Sequence, residues 1–553
     1  MANLNTESSL MILPEVDFPR YLHRYTVRHQ TTFNLGDITP IYINVLVQPG
    51  ETIRMSLRQF YKLTTSLFPA MDSLHADIYA FADNYHNLWD HSNEFFGEDQ
   101  DNPQEIAPEY TIPQIVIEPT DTIETDDLLN RLALPYMEAN ENRSNIELER
   151  LSYNHYCNMY NWFFRDQNYI AKIPFSKGDE DIKKSDLHVQ KLLKAARNHD
   201  FFMGAPNSQR GPAELLPIGT EAPVIGNGKS LGLTNGSSSV TLTARTVDNY
   251  GVLGGVTNAE FFAAPPGTDT TGKAFYNQNK TLGVTRLANL SGLQADLSQV
   301  LGATLNAFRL TATMQQIKEM LLFYGGRINN VIKTQYGVTA PEGILEQTEL
   351  LGHAHCELNM DTVLQTSESS STSPLGDSAG YSTTFSEDYL FEKSFTYWSV
   401  LSVVVVVRQK HTYCQGLNMQ HTKKRKYDFY SPMFKGLGLQ PRNKSIIYLT
   451  GTETDDDIWN FAPAWQEYRF ELDRVTGLMA PNVPGNLAVY NYADLYENVP
   501  NSGEEWINET PIYLDRTLTV QSDVTPQFMA DFQFDIERIN TVPNYVLPGI
   551  DKI

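Results

Sequence analysis

The 553-residue chain is 41% hydrophobic and 11% aromatic, so roughly three to four domains with a large core are expected. Its formal net charge of −24, from 42 basic and 66 acidic residues, excludes a protein that coats nucleic acid by bulk positive charge, although local basic patches are compatible with it. The 34 Gly and 29 Pro residues favour many turns and an all-β chain.

The cysteines and the opening residues indicate where the chain is made. Cys157, Cys356 and Cys414 are far apart and odd in number, which predicts neither a disulfide framework nor a zinc site and fits a reducing cytosol. The opening MANLNTESSLMILPEVDF lacks the basic and apolar regions of a signal peptide, and the longest apolar run, Val403–Val407, is too short to span a bilayer. We therefore expect a soluble chain without membrane insertion.

Residues 1–30 are predicted to form an N-terminal arm, because no clear period is present. The end of this arm is basic, with Arg20, Arg24 and Arg28 beside His23 and His29. Two interpretations stay open: a solvated terminus, or an inward arm whose arginines contact DNA phosphates.

Regular structure is predicted from residue 31 onward. Thr31–Gly50 is typical of two strands joined by a turn at Gly36, and Leu74–Ala82 predicts another strand. Asn87–Phe96 favours a short helix, and Ile146–Phe164 has apolar residues at helical spacing. These elements belong to the first part of a core, residues 31–215.

An acidic window separates two of these elements. Gly97–Asn130 contains ten Asp or Glu residues and no Lys or Arg, which predicts a solvated outer face or rim. A calcium site is the alternative, but the window lacks EF-hand spacing.

The composition changes in the middle of the chain. Gly219–Gly302 holds 13 of the 34 glycines, with many Ser, Thr and Asn residues and few charges. Residues 216–295 are therefore predicted to be an insertion that buries little core by itself, either a flexible linker or a loop-rich projection stabilised by its own copies in an oligomer.

The second part of the core is predicted over residues 296–553. Apolar residues recur at helical period over Asp296–Phe323, which predicts a helix with a packing face, whereas Ile344–Ser382 is loop-like. Phe395–Val407 is apolar on both faces and is predicted to lie inside a sandwich. In Phe528–Glu537, apolar and polar residues alternate, so one face of this strand is expected in the core. The proline-containing tail TVPNYVLPGIDKI is expected to be extended on a neighbouring surface.

Motifs for catalysis, cofactors or metals are incomplete. Gly226–Ser230 resembles a phosphate loop, but Pro223 stands where the pattern needs glycine. His353, His355 and Cys356 could offer metal ligands, the histidines at strand spacing, but no second cluster lies nearby in sequence. The carboxylates of Asp455–Asp457 could bind a cation, but an exposed turn or a helix start is favoured. No catalytic, cofactor or metal site is predicted.

The sharpest basic run precedes a group of aromatic residues. Four cations beside rings are typical of single-stranded nucleic-acid binding, in which Lys and Arg contact phosphates and rings stack on bases. The candidate contacts are Lys423, Lys424, Arg425, Lys426 and Tyr427, with Arg20, Arg24 and Arg28 of the arm. A solvated or interface-paired loop is the competing interpretation.

One long stretch, Lys191–Pro212, KLLKAARNHDFFMGAPNSQRGP, ends an ordered element with a Gly- and Pro-rich loop and fits no catalytic motif. Further distinctive segments are TTFNLGDITPIYINVLVQPGET, MDSLHADIYAF, NLWDHSNEFFGE, YNWFFRDQNYI, YGVTAPEG, VLQTSESSSTSPLGDSAGYS, TYCQGLN, KYDFYSPMFKGLG, EYRFELDRVTGLM and VPNYVLPGIDKI. Together these segments resemble the major capsid proteins of microviruses, small single-stranded DNA phages, and especially their gokushovirus-like branch.

The resemblance implies an all-β fold, an eight-stranded jelly-roll β-sandwich with long loop insertions and a few helices. It also implies that sixty copies form a T=1 icosahedral shell around circular single-stranded DNA, assembled in the cytoplasm of a bacterial host. Residues 216–295 take the place of the family's insertion that projects at three-fold axes and contributes to attachment to a host-cell receptor. The implied partners are other copies of the chain, the genome, the receptor, and other virion or scaffolding proteins; no cofactor is implied.

A second class of function competes with a shell protein. In a β-sandwich polysaccharide-binding protein or glycoside hydrolase, scattered Asp, Glu and Trp residues build the site, since paired carboxylates need not be close in sequence. The opening residues, which lack a signal peptide, weigh against secretion and so against this alternative. We therefore expect a structural protein and not an enzyme.

Overall fold

The computed structural model describes residues 18–64, 66–68, 70–97, 110–212, 305–339, 347–359 and 383–545, with short strand pieces between residues 224 and 295. The chain divides into two compact units: Met1–Arg210 with Glu319–Ile553, and Gly211–Lys318. Most of residues 213–304, and with them most of the predicted insertion, lie outside the described residues, as does the end of the predicted tail.

Most of the regular structure consists of β-strands. In chain order, the strands of the described residues are β1 (Tyr21–Phe33), β2 (Thr39–Val47), β3 (Thr52–Leu63), β4 (Leu74–Asn84), β5 (Gln114–Ile117), β6 (Ile146–Glu149), β7 (Ile182–Lys183), β8 (Val224–Gly226), β9 (Gly232–Thr234), β10 (Ser239–Thr241), β11 (Arg286–Leu287), β12 (Leu293–Ala295), β13 (Glu349–Leu358), β14 (Thr383–Ser394), β15 (Ser399–Gln409), β16 (Leu439–Asn443), β17 (Ile458–Pro463) and β18 (Phe528–Asn540).

Helices are fewer and mostly short. The α-helices of the described residues are α1 (Tyr85–Leu88), α2 (Ser92–Phe95), α3 (Leu128–Leu132), α4 (Leu151–Met159), α5 (Leu305–Tyr324), α6 (Ile328–Tyr336), α7 (Glu504–Ile507) and α8 (Ile512–Asp515). Within the part of the chain that the structure covers, none of these helices combines the length and apolar character needed to cross a bilayer.

Eight long strands form two four-stranded antiparallel sheets. One sheet has the order β1-β18-β3-β14 and the other β13-β4-β15-β2. Successive members of these eight strands lie in opposite sheets, except β4 and β13, which pair within one sheet, and this order is the topology of a jelly roll. The predicted fold class, an all-β eight-stranded jelly-roll sandwich, is confirmed.

The core between the two sheets is built from strands with alternating burial. In β18, Phe528, Phe532 and Phe534 are fully buried, while Met529 and the residues that alternate with them face outward. This confirms the predicted alternation, because side chains of a strand point to opposite faces in turn. Phe534 packs 5.3 Å from the ring of Tyr42 on the opposite sheet, which joins the two layers.

Strand β15 is buried over its whole length because both of its faces are covered. Val403, Val405 and Val407 face the core between the sheets. Val404 and Val406 face a second core, formed with α3, α4 and β5 on the outer side of the sheet. The prediction of an interior strand apolar on both faces is confirmed.

Two predicted irregular segments are strands. The predicted arm contains β1, which pairs along its whole length with β18. The sequence pattern hid this strand, because the residues that face inward include His, Tyr and Thr in place of a run of aliphatic side chains. The loop predicted over Ile344–Ser382 contains β13, whose inward residues Ala354 and Cys356 are too small to produce a strong apolar signal.

The two longest predicted helices also differ from the helices in the structure. The segment from Ile146 begins as β6 and becomes helical only at Leu151, and α4 is then buried on every side. Helix α5 confirms the predicted helix from Leu305 onward, but its apolar stripe is exposed: Phe308 is 52% and Ile317 40% accessible. At the end of the helix, Leu322 is buried and Met320 and Leu321 are half-buried, so the exposed part of the stripe is the part before them.

Candidate nucleic-acid interface

The arginines predicted on the arm lie on the outward face of the sheet β1-β18-β3-β14. Arg24 of β1 is 2.9 Å from the carboxylate of Glu537 on β18. Arg28, also of β1, donates from Nε to the carboxylate of Asp531 on β18 at 2.9 Å. Both arginines therefore have a carboxylate partner inside the sheet.

The same charge pattern continues across the sheet. Arg54 and Arg58 of β3 pair with carboxylates of β18 on one side and of β14 on the other. Basic strands thus alternate with acidic strands, and each arginine of this face is neutralised locally. Arg20, just before β1, donates to the backbone carbonyl of Gly50 at 2.6 Å. A phosphate that contacts Arg20, Arg24 or Arg28 would have to displace these partners.

The basic run forms a tight turn that presents three cations. The carboxylate of Asp428 accepts hydrogen bonds from the backbone N–H groups of Lys424 (2.8 Å) and Arg425 (2.6 Å). These bonds hold the pKa of Asp428 below its usual range. The side chains of Lys424, Arg425 and Lys426 are exposed, and none of them forms an ion pair with another described residue.

Lys423 has a different position from its three neighbours. Its Nζ lies 2.5 Å from Oε1 of Glu467, and the two side chains are only 9% and 4% exposed. The ammonium also lies 5.6 Å from the centre of the Trp465 ring, within the range of a cation–π contact. Lys423 therefore anchors the run to the protein, and we do not keep it as a phosphate contact.

Aromatic rings continue the surface away from the turn. Tyr427, which is 71% exposed, contacts Phe434 edge-on at 6.3 Å between centroids. Phe434 stacks on Trp465 at 5.9 Å, and Trp465 contacts Tyr430 at 5.7 Å. Tyr468 completes the group at 5.9 Å from Tyr430. We call these five residues the aromatic cluster.

The aromatic cluster borders a cavity of about 480 Å³. The cavity is lined by Phe323, Tyr430, Lys435, Leu437, Gly438, Pro463, Ala464, Trp465, Tyr468 and Arg469. Two cationic side chains thus stand among aromatic and apolar walls. We call it the Trp465 cavity.

Trp465 is unusual in two respects. Among the described residues it is the only one other than glycine with a positive φ, 63°, which is costly for a side chain with a Cβ. Its indole N–H is buried and has no hydrogen-bond acceptor among the described residues.

The predicted histidine pair is brought next to an acidic residue of β4. His355 lies 2.8 Å and His353 3.3 Å from Oδ1 of Asp77, while Arg408 donates to its other oxygen at 2.8 Å. Cys356 points into the core instead. The Arg408 guanidinium thus already pairs with the carboxylate that the two histidines share.

The acidic residues noted in the sequence form ion pairs with nearby lysines or accept hydrogen bonds from nearby backbone N–H groups. Glu124, Asp126 and Asp127 bring carboxylate oxygens within 4.8 Å of one another. Lys184 and Lys191 form ion pairs with these carboxylates, which accounts for the cluster without an ion. In the predicted turn at Asp455–Asp457, the carboxylate of the first residue accepts hydrogen bonds from the preceding backbone.

A buried charged cluster was not predicted from the sequence. Asp494 lies 2.8 Å from Arg197 and 2.7 Å from Nδ1 of His411, and Nε2 of His411 lies 3.1 Å from Glu509. Burial and Arg197 act to lower the pKa of His411, but the two carboxylates outweigh them and raise it to about 9. Two positive and two negative groups therefore balance inside the protein, and they join four distant segments.

The stretch Lys191–Pro212 packs against β16 and β17 through its backbone. Arg442, itself buried, donates to the carbonyls of Phe201, Phe202 and Met203. Ala205 and Phe461 exchange two backbone hydrogen bonds of 2.8 Å. The Gly-Pro loop thus docks on β16 and β17, but the residues before it form isolated β-bridges in place of the ordered element that was predicted.

Jelly-roll sandwiches occur both in viral capsids and in lectins. The fold therefore indicates one of two classes of protein, a shell-forming protein or a binding protein. The sequence matches the family described as capsid protein (F protein) over residues 13–550. It is 30% identical to capsid protein VP1 of Bdellovibrio phage phiMH2K, with 99% of both chains covered, and 31% identical to capsid protein VP1 of Spiroplasma virus 4, with 95% of both covered. Capsid protein VP1 of Chlamydia phage 1 is 26% identical over 95% of this chain and 94% of its own.

The chain therefore belongs to the capsid protein (F protein) family, and its relatives are proteins of microviruses. The predicted resemblance is confirmed, and the role is structural and not enzymatic. A polysaccharide-acting enzyme, the competing prediction, does not agree with this membership. As a capsid protein, the chain is a component of the virion shell, in which it assembles with itself.

Proposed function

We propose that sixty copies of this chain close into a T=1 icosahedral shell around circular single-stranded DNA, assembled in the cytoplasm of a bacterial host. Membership of the capsid family over residues 13–550 supports the shell. The exposed apolar stripe of α5 supports large contacts between copies, because apolar surface of this kind marks protein interfaces. Scaffolding or other virion proteins are further proposed partners in assembly.

The DNA-facing role rests on one observation, the exposed turn of Lys424, Arg425 and Lys426 next to the aromatic cluster. These cations have no carboxylate partner among the described residues, unlike the arginines of β1 and β3. Free cations release counterions when they meet phosphates, and rings beside them accept bases. Within the described part of this acidic chain, this surface is well suited to hold a single-stranded genome.

Host attachment is proposed for residues 216–295. Their place between the two parts of the first unit and their Gly-, Ser- and Thr-rich composition support a projecting surface.

Neutralising the turn tests the DNA role. We expect the triple variant Lys424→Gln, Arg425→Gln, Lys426→Gln to bind single-stranded oligonucleotides more weakly. The slope of log affinity against log salt concentration should become shallower by about 2, since each lost contact with a single strand removes about 0.7. Particles assembled from this variant should hold less DNA, measured as the ratio of nucleic acid to protein after nuclease treatment.

A matched control uses three arginines that are already paired. Arg24→Gln, Arg28→Gln and Arg58→Gln together remove the same number of positive charges from the sheet face. The salt slope and the DNA content of this control should stay those of the parent protein. If the two triple variants behave alike, the turn has no special role and general charge accounts for binding.

A further inference from the structure

We propose that the Trp465 cavity binds one unstacked base of single-stranded DNA, while Lys435, Arg469 and the turn Lys424–Lys426 contact the flanking phosphates. This inference rests on the proposed function, because it names the way in which the shell holds its genome. It goes further than electrostatic attraction, since it assigns a specific site to a base.

The walls of the cavity have the chemistry that a base requires. Tyr430 and Tyr468 are 45% and 55% exposed, so these rings are reachable from solvent, and the half-buried Trp465 is a further wall of the cavity. Every base has a π-face, so rings of this kind stack on any sequence. The volume of about 480 Å³ falls in the usual range of small-molecule sites and holds a base with its sugar.

The charge around the cavity favours an anionic ligand. Residues 421–440 carry five Lys or Arg residues and one Asp, in a chain whose net charge is −24. Asp428 is occupied by backbone N–H groups, and Glu467 by Lys423. Lys435 and Arg469 stand in the lining itself, and Arg469 also donates to the carbonyl of Ala464. One carboxylate, that of Glu319, lies beside Gly438 of the lining, so cations outnumber it there. This complementarity favours a phosphate backbone over an acidic or neutral protein segment.

Trp465 itself indicates that the site is built for a ligand. Left-handed backbone at a non-glycine residue persists where the surroundings impose it, and such residues cluster at binding sites. The buried indole N–H lacks an acceptor, and it belongs to a ring that lines the cavity. Bases carry carbonyl or ring-nitrogen acceptors that can satisfy such a donor.

The test compares oligonucleotides with and without bases. The full-length subunit is titrated with a single-stranded DNA of ordinary sequence and with an abasic strand of the same length and charge. We expect the subunit to bind the ordinary strand about 5- to 100-fold more tightly, the effect of one stacking interaction. Tyr468→Leu and Trp465→Leu should each reduce this preference towards one, with little change for the abasic strand.

Controls separate the pocket from folding and from charge. Tyr136→Leu removes an exposed ring elsewhere, 57% accessible, and should keep the full preference for the ordinary strand. Ultraviolet cross-linking of a strand containing 5-iodouracil to the parent protein, mapped by mass spectrometry, needs no variant and should label Trp465, Tyr430 or Tyr468. Labelling of other rings instead would overturn the assignment.

The outcomes also distinguish the pocket from the proposed function. Equal binding of ordinary and abasic strands, with sensitivity to the Lys424–Lys426 turn, overturns the pocket and leaves DNA binding by charge intact. Loss of shell formation in Tyr468→Leu with unchanged oligonucleotide binding also overturns it, because the cavity would then receive a neighbouring copy. Failure of the parent protein to bind either strand contradicts both proposals.

Discussion

Replacing Asp494 by asparagine is expected to lower the free energy of unfolding of the subunit by about 3–5 kcal/mol, the cost of removing one partner from a buried ion pair. Asp494 is 1% exposed, and it balances Arg197 and His411 at 2.8 and 2.7 Å. Asparagine keeps the size of the side chain but leaves these two cations with Glu509 alone. The measurement is urea unfolding of the unassembled subunit at one protein concentration.

The control for this variant is a surface carboxylate. Asp457→Asn removes a partner of Lys444 in a pair whose side chains are 56% and 32% exposed, and exposed pairs of this kind contribute at most about 1 kcal/mol. We expect the buried variant to lose clearly more free energy of unfolding than the surface variant. Equal losses of unfolding free energy in the two variants would mean that the buried cluster does not stabilise the packing of its four segments.

Gly204→Ala is expected to destabilise the subunit by roughly 3 kcal/mol, because backbone must move to make room for one methyl group. A Cβ at this position would lie 2.5 Å from the carbonyl oxygen of Phe461 and 2.8 Å from Nη2 of Arg442. The two hydrogen bonds between Ala205 and Phe461 hold the backbone there, so it cannot yield without losing them. The same urea unfolding measurement gives the change.

Gly436→Ala provides the matched comparison. A Cβ at Gly436 meets no atom within 4 Å, and this residue is not among the glycines with positive φ. Its substitution should leave the unfolding midpoint within error of the parent protein. A tolerated Gly204→Ala would show that the stretch Lys191–Pro212 is not docked on β16 and β17 as described.

The parts of the fold that were predictable from sequence are those with a strong apolar period. Strands β15 and β18 were predicted because Val403–Val407 and the phenylalanines of β18 report burial directly. Strand β1 was missed, since its inward positions include His23 and Thr31, which a period based on hydrophobicity does not count. The jelly-roll order itself came from the family resemblance, because pairing between strands hundreds of residues apart leaves no local signal.

The candidate site was predictable only in part. The exposed turn at Lys424–Lys426 was predicted from charge and neighbouring rings. The burial of Lys423 was not, because its partner Glu467 lies far along the chain. Trp465 and Tyr468 were missed for the same reason, as was the cluster of Arg197, His411, Asp494 and Glu509, whose members meet only after folding.

The most direct test of the central claim is a reconstruction of purified particles at a resolution that shows side chains. The account predicts a closed shell of sixty copies whose inner surface carries Lys424–Lys426 and Trp465, with ordered single-stranded DNA against them. A shell in which this turn faces outward, or in which the genome contacts a different surface, would contradict it.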